Sequence, residues 1–148
     1  MNTNYFPDDI LHSIKILEHR LEKRFNSNLE KCGLSAVQGR VLLFIARTEN
    51  VTKKTISEYY FLSKSTTSEL IKRMIKKDLI KIDKNGKNSY ITITEKADAL
   101  ITLIKESRKN TVKTLEKNLN EGQIEELKQY LQLLIENLKG EQLNAEEN

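Results

Sequence analysis

Apolar residues recur at steps of three and four from Ile10 through Ile14, Leu17, Leu21 and Phe25 to Leu29, one stripe held for about six helical turns. Pro7 suits a first turn, and Asp8 and Asp9 suit the positive end of a helix dipole, so the helix is expected to begin there and to end at Lys31-Cys32-Gly33. Ser35-Ala36-Val37-Gln38 has the form of a capping box, which predicts a second helix from about Ala36. The interior of that helix, Val41 to Ala46, is apolar on nearly all sides, as a central helix would be. Thr52 is placed to cap a short third helix carrying Ile56, Tyr59 and Tyr60, and Ser63 to cap a fourth. The fourth sets Thr67, Leu70, Ile71 and Met74 on one face and Lys64, Ser65, Ser68, Lys72 and Lys76 on the other.

After Leu79 the helical period gives way to alternation. Ile80 and Ile82 alternate with polar residues, as do Ile91 and Ile93, and Asn85-Gly86 between them offers the positive φ angles of a type I′ turn. A hairpin looped at Asn85-Gly86 sets Lys84 opposite Lys87, Ile82 opposite Ser89 and Ile80 opposite Ile91, gathering four isoleucines on one buried face. The facing lysines would repel each other in the free chain and be relieved by a phosphate between them. Thr94 can cap a fifth helix with Ala97, Leu100, Ile101, Ile104, Thr111, Leu115 and Leu119 in helical spacing for roughly seven turns. Asn120-Glu121-Gly122-Gln123 resembles a second capping box, and Ile124, Leu127, Leu131, Leu134 and Leu138 then follow the spacing of a helix-helix seam. Gly140 to Asn148 are polar and acidic and are expected as a tail. The fold class is therefore mainly α (α+β), with neither internal repeat nor low-complexity linker.

The length, 148 residues, suits one core with a long appended element, large enough to fold without staples. The single cysteine, Cys32, cannot build a disulfide framework or a multi-cysteine zinc site. The start of the chain carries neither a basic segment nor an apolar stretch, and the run Val41 to Ala46 is too short to span a bilayer. A cytoplasmic protein outside the membrane, with no cofactor and no metal, is expected. The net charge of +4 hides a segregation: Thr52 to Tyr90 holds ten Lys or Arg against four acids, leaving 15 basic and 17 acidic residues elsewhere. A compact cationic segment in a near-neutral chain is the footprint of a polyanion-binding surface, although on charge alone a solvated lysine face is the preferred reading.

A short helix, a tight turn, an amphipathic helix with a basic outer face and a hairpin make up a winged helix-turn-helix. In such a module the second helix enters the major groove of double-stranded DNA and the hairpin follows the backbone. Lys64, Ser65, Thr66 and Ser68 then lie nearest the base edges, with Lys72 further along toward phosphate. Thr52, Lys53, Lys54 and Gln38 put helix N-termini near the backbone, and Lys84, Asn85 and Lys87 form the wing tip. Capping alone accounts for Ser63 and Thr52, core packing competes for Thr66 and Thr67, and a solvated face competes for Lys76, Lys77 and Lys81. Enzyme chemistry finds no support: there is no Ser/His/acid order, no glycine-rich phosphate loop and no ligand cluster. His12 and His19 share a helix face without cysteine or a carboxylate at ligand spacing, Cys32 reads as structural, and Tyr59, Tyr60 and Tyr90 read as packing. Glu18 and Glu22 read as solvating the first helix.

From Pro7 to Leu138 the chain resembles the MarR family of transcriptional regulators. The resemblance rests on Leu34-Ser35 with Gln38, Thr52, Ile56-Ser57, Leu62-Ser63-Lys64-Ser65-Thr66-Thr67-Ser68, Leu70-Ile71-Lys72-Arg73-Met74, Lys76-Lys77-Asp78-Leu79-Ile80 and Ile93-Thr94-Glu95-Lys96, in the family's order. It implies a helical dimerisation region at 1–33 and 95–139, a winged helix-turn-helix at 34–94 and a polar tail at 140–148. It implies a homodimer joined through the first, fifth and sixth helices, with Ile10, Ile14, Leu17, Leu115, Leu119, Leu127, Leu131, Leu134 and Leu138 at the interface. The implied function is a repressor on a pseudo-palindromic operator, with a small-molecule effector setting its affinity. The sequence is also compatible with a regulator that has no effector, and with an architectural or protein-binding winged helix. The chain departs from the family's pattern at the wing, where Asn85-Gly86-Lys87 replaces Asp-x-Arg, and at Glu69, where many relatives carry a basic residue. Phe61, Asp78 and Ala97 stand where the family often has glycine.

Overall fold

A computed structural model describes the backbone of residues 9–146 and the side chains of residues 9–139. The order is α1 (Ile10–Leu29), a short 3-10 turn (Glu30–Cys32), α2 (Ala36–Arg47), α3 (Lys53–Tyr60), α4 (Lys64–Lys76), β1 (Ile80–Asn85), β2 (Asn88–Ile93), α5 (Glu95–Leu115) and α6 (Glu121–Glu146). The chain forms two compact units that divide between Thr111 and Val112.

Expected helix starts are realised through their caps. Asp9 caps α1 by accepting from the His12 amide at 2.7 Å, while Pro7 and Asp8 lie outside the described residues. Ser35 and Gln38 form the reciprocal capping box of α2, and Thr52 and Thr55 form another on α3. Thr94 Oγ1 accepts from the Ala97 amide at 3.2 Å at the start of α5 and donates to the Asp78 carbonyl at 2.6 Å, tying this helix start to the end of α4.

The core of the first unit gathers Phe25 and Leu29 of α1, Val41, Leu42 and Ile45 of α2, Ile56 of α3, Leu70, Ile71 and Met74 of α4, Ile80 and Ile91 of the hairpin, and Ala97, Ile101 and Ile104 of α5. Each fully buried leucine or isoleucine among them contributes about 1.5–3 kcal/mol of transfer free energy. Gly39 lies where α1 and α5 close on α2, and a Cβ there would run into the Leu29 side chain. Tyr60 donates to the Arg40 carbonyl at 2.8 Å, and burial, reinforced by neighbouring Tyr59, pushes its hydroxyl above the usual tyrosine range. Glu22 does more than solvate α1, since its carboxylate pairs with Arg40 of α2 at 2.7 Å.

The hairpin differs from the expected register. Ile80 pairs with Ile93, Ile82 with Ile91 and Lys84 with Ser89, so the two-residue loop is Gly86-Lys87 rather than Asn85-Gly86. Only Gly86 has positive φ, +63°, the pattern of a type II′ turn, which needs glycine at its first central position. A shift of two residues keeps every side chain on its face and sets all four isoleucines directly across from one another. Only Ile80 and Ile91 are buried; Ile93 is half-buried and Ile82 is exposed. Lys84 and Lys87 are thus not cross-strand partners, and the expected relief of their mutual repulsion by an anion does not follow from this register. The sheet gains one bond from outside, the Ile91 amide donating to the Val51 carbonyl at 2.7 Å.

In the second unit α5 closes at Leu115, earlier than the seven-turn stripe implied. Asn118 takes a φ of +68°, and Asn120 and Gln123 form a reciprocal box at the start of α6, with bonds of 3.0 and 2.9 Å. Leu119 therefore lies between the helices rather than on α5. The backbone from 140, expected as a polar tail, continues α6 as far as Glu146. No helix among the described residues is long and apolar enough to cross a membrane.

Candidate nucleic-acid interface

The outward face of α4 is set by its first turn. Ser63 Oγ accepts from the Thr66 amide at 3.1 Å and donates to Thr66 Oγ1 at 2.8 Å, while Thr67 Oγ1 donates back to the Ser63 carbonyl at 2.9 Å. Thr67, Leu70, Ile71 and Met74 are buried beneath the helix, so Lys64, Ser65, Thr66, Ser68 and Lys72 all stand exposed on the side away from the core. Of the two threonines for which core packing competed, Thr67 is the buried one and Thr66 is exposed.

Beside this face, Lys53 and Lys54 occupy the first turn of α3, exposed, with Lys54 in a 3.8 Å pair with Glu58. Together with Ser57, Lys64 and Ser68 they line a cleft of about 530 Å3 between α3 and α4. Thr52 is half-buried and engaged with Thr55, Oγ1 to Oγ1, at 3.0 Å, which fits the capping role. Lys84, Asn85 and Lys87 are exposed at the wing. Further down the wing Thr92 donates to Asp83 at 2.7 Å, and Lys81 pairs with Asp83 at 3.9 Å.

Gln38 lies at the floor of the groove beside Ser65 and Thr66. It is only 6% exposed, and its Oε1 accepts from the Ser35 amide at 3.1 Å and from Lys77 Nζ at 3.2 Å. The first bond closes the α2 capping box and the second ties Gln38 to the end of α4, so its side-chain oxygen is already engaged within the fold. Lys77 also donates to the Gly33 carbonyl at 2.8 Å, stapling the end of α4 to the start of α2, which resolves its competing readings in favour of structure.

Sequence reading missed Arg73 and Arg40. Arg73 Nε donates to Glu69 Oε1 at 3.3 Å across one turn of α4, and both side chains line a shallow groove with Ser65, Thr66 and Arg40. The i,i+4 spacing of an acid and an arginine was the available signal. Among the described residues no group of three or more His, Cys, Asp and Glu is arranged to hold a metal ion.

A helix-turn-helix with its second helix turned basic face outward, followed by an antiparallel hairpin, defines the winged helix-turn-helix class. Residues 33–87 match the model of the MarR family. Over most of its length the chain shares the fold of solved MarR-type proteins. A Listeria monocytogenes protein assigned to the MarR family and solved with 26mer DNA superposes with a TM-score of 0.83 at 23% identity, over 96% of this chain and 97% of its own. The DNA complex of MepR from S. aureus gives 0.81 at 19% identity, over 88% and 96%. A MarR transcriptional regulator from Methanosarcina mazei gives 0.78 at 20% identity, over 86% and 94%. Among curated proteins no sequence matches the chain.

Proposed function

We propose that the chain is a transcriptional regulator that binds double-stranded DNA as a homodimer on a pseudo-palindromic operator, acting as a repressor in the cytoplasm. The observation that carries this reading is the outward face of α4: three hydroxyl side chains and two lysines, all exposed, beside Lys53 and Lys54 and followed by a lysine-tipped wing. Short hydroxyl side chains let the helix approach base edges, and the lysines neutralise phosphates on either side. Two proteins of the same fold, the Listeria monocytogenes relative and MepR, are solved on DNA.

Exposed apolar residues support the dimer. In the single chain Ile10 is 62%, Leu17 44%, Leu131 44% and Leu138 67% exposed, a loss that burial against a second copy would recover. A small-molecule effector fits a cleft of about 500 Å3 between α1 and α5, lined by Asn28, Cys32, Leu103 and Ser107. Such a ligand acts only through different affinities for the DNA-competent and incompetent states.

Duplex binding measured against salt tests the reading. Log affinity should fall against log salt with a slope of about −0.9 per phosphate neutralised. In the Lys64→Ala, Lys72→Ala, Lys87→Ala triple variant the dimer loses six lysines, so the slope should flatten by up to about 5. An unchanged slope would favour the architectural reading, in which the lysines serve solubility alone.

A further inference from the structure

We propose that Glu69 reads a cytosine in the bound site, with Arg73 as the residue that positions its carboxylate. The inference rests on the DNA-binding reading above and assigns the base specificity of that same surface.

Glu69 is the sole acid of α4, and it sits in the middle of the face that carries Ser65, Ser68 and Lys72. Opposite a polyanion, a carboxylate there is repelled by every phosphate it approaches, so it gains only from a donor on a base edge. The major groove offers two such donors. The adenine N6 amino group stands beside the N7 acceptor, whereas cytosine presents N4 as a donor with no acceptor of its own alongside. An ionised carboxylate accepts and cannot donate, so it matches cytosine best, mismatches guanine with its O6 and N7 acceptors, and gains nothing from thymine O4.

The local geometry favours this use. Arg73 donates through Nε at 3.3 Å to one oxygen, Oε1, and holds the carboxylate in the groove beside Ser65 and Thr66. Among the described residues the second oxygen makes no hydrogen bond or ion pair, which leaves it for an incoming amino group. The pair also offsets the repulsion that Glu69 alone would bring to this face. Glu69 and Arg73 are both exposed, with side chains 57% and 68% accessible, so neither is held by the core and both can be replaced without disturbing it.

Selection of bound duplexes from a random pool, run in parallel with wild type, Glu69→Gln and Glu69→Ala, tests the assignment. Wild type should enrich sites with cytosine at one defined position, preferred over the other bases on the order of tenfold. Glu69→Gln should move that preference to adenine, because an amide offers one donor and one acceptor to N6 and N7. Glu69→Ala should leave the position degenerate while the rest of the site is retained. Arg73→Ala should keep cytosine as the preferred base with weaker discrimination. If all three Glu69 forms select the same site, Glu69 reads nothing and the inference falls while the DNA-binding reading stands. If wild type enriches no duplex at all, the DNA-binding reading falls and takes this inference with it.

Discussion

Three helix ends close in the same way, and only one uses glycine. After the 3-10 turn Gly33 takes φ +67°, after α3 Phe61 takes +53°, and after α4 Asp78 takes +55°. In each case the next amide reaches back to close the turn: Leu34 to Leu29 O at 3.2 Å, Leu62 to Ser57 O at 2.9 Å, and Leu79 to Met74 O at 3.0 Å. This is the Schellman closure, and it favours a residue without a Cβ. Phe61 and Asp78 therefore carry a left-handed penalty of about 1–2 kcal/mol each. Phe61 is 93% exposed, so no packing compensates it there. Phe61→Gly and Asp78→Gly should each stabilise the chain by about 1 kcal/mol, less the added entropy of the unfolded glycine, as read by denaturant midpoints. Their replacement of the family's glycines was visible in the sequence; the strain was not, because φ belongs to the backbone. Gln38 teaches the converse. Its capping geometry was legible from Ser35-x-x-Gln38, yet the bond from Lys77, 39 residues away, is a tertiary fact that spacing along the chain does not contain.

At the scale of elements, periodicity carried most of the architecture. The buried side of α4 is the stripe that the spacing of Thr67, Leu70, Ile71 and Met74 implied, and both expected capping boxes on α2 and α6 are formed. What remained illegible was register. Asn-Gly is a strong signal for a type I′ loop, and the local turn preference pointed to Asn85-Gly86. Pairing across the whole hairpin outweighed it, since a loop at Gly86-Lys87 sets Ile80 against Ile93 and Ile82 against Ile91. The end of α5 was misjudged for a related reason: Leu119 keeps helical spacing by coincidence, while the Asn120-Gln123 box starts the next helix. Gly86 now bears the turn alone. Gly86→Ala should weaken the wing by about 1 kcal/mol through its positive φ, and hydrogen exchange of the Asp83 amide should quicken while amides of α2 do not change.

At the scale of the molecule, the reading heads and the dimer have to be considered together. In the proposed dimer each recognition helix meets one half-site, and the helix of the second copy meets the other about 34 Å away along the duplex. The apolar seam of α6, with Leu127 and Leu131 exposed in the single chain, is the surface whose loss should separate the copies. The spacing of Leu127, Leu131, Leu134 and Leu138 is the part of this proposal that the sequence carries. Sedimentation of the chain with a short selected duplex at low salt tests the dimeric DNA reader most directly. Two chains on one duplex are predicted, falling to a single subunit with at least tenfold weaker binding in Leu131→Asp. A wild-type chain that sediments alone beside free duplex, or a variant that still assembles in pairs, would contradict it.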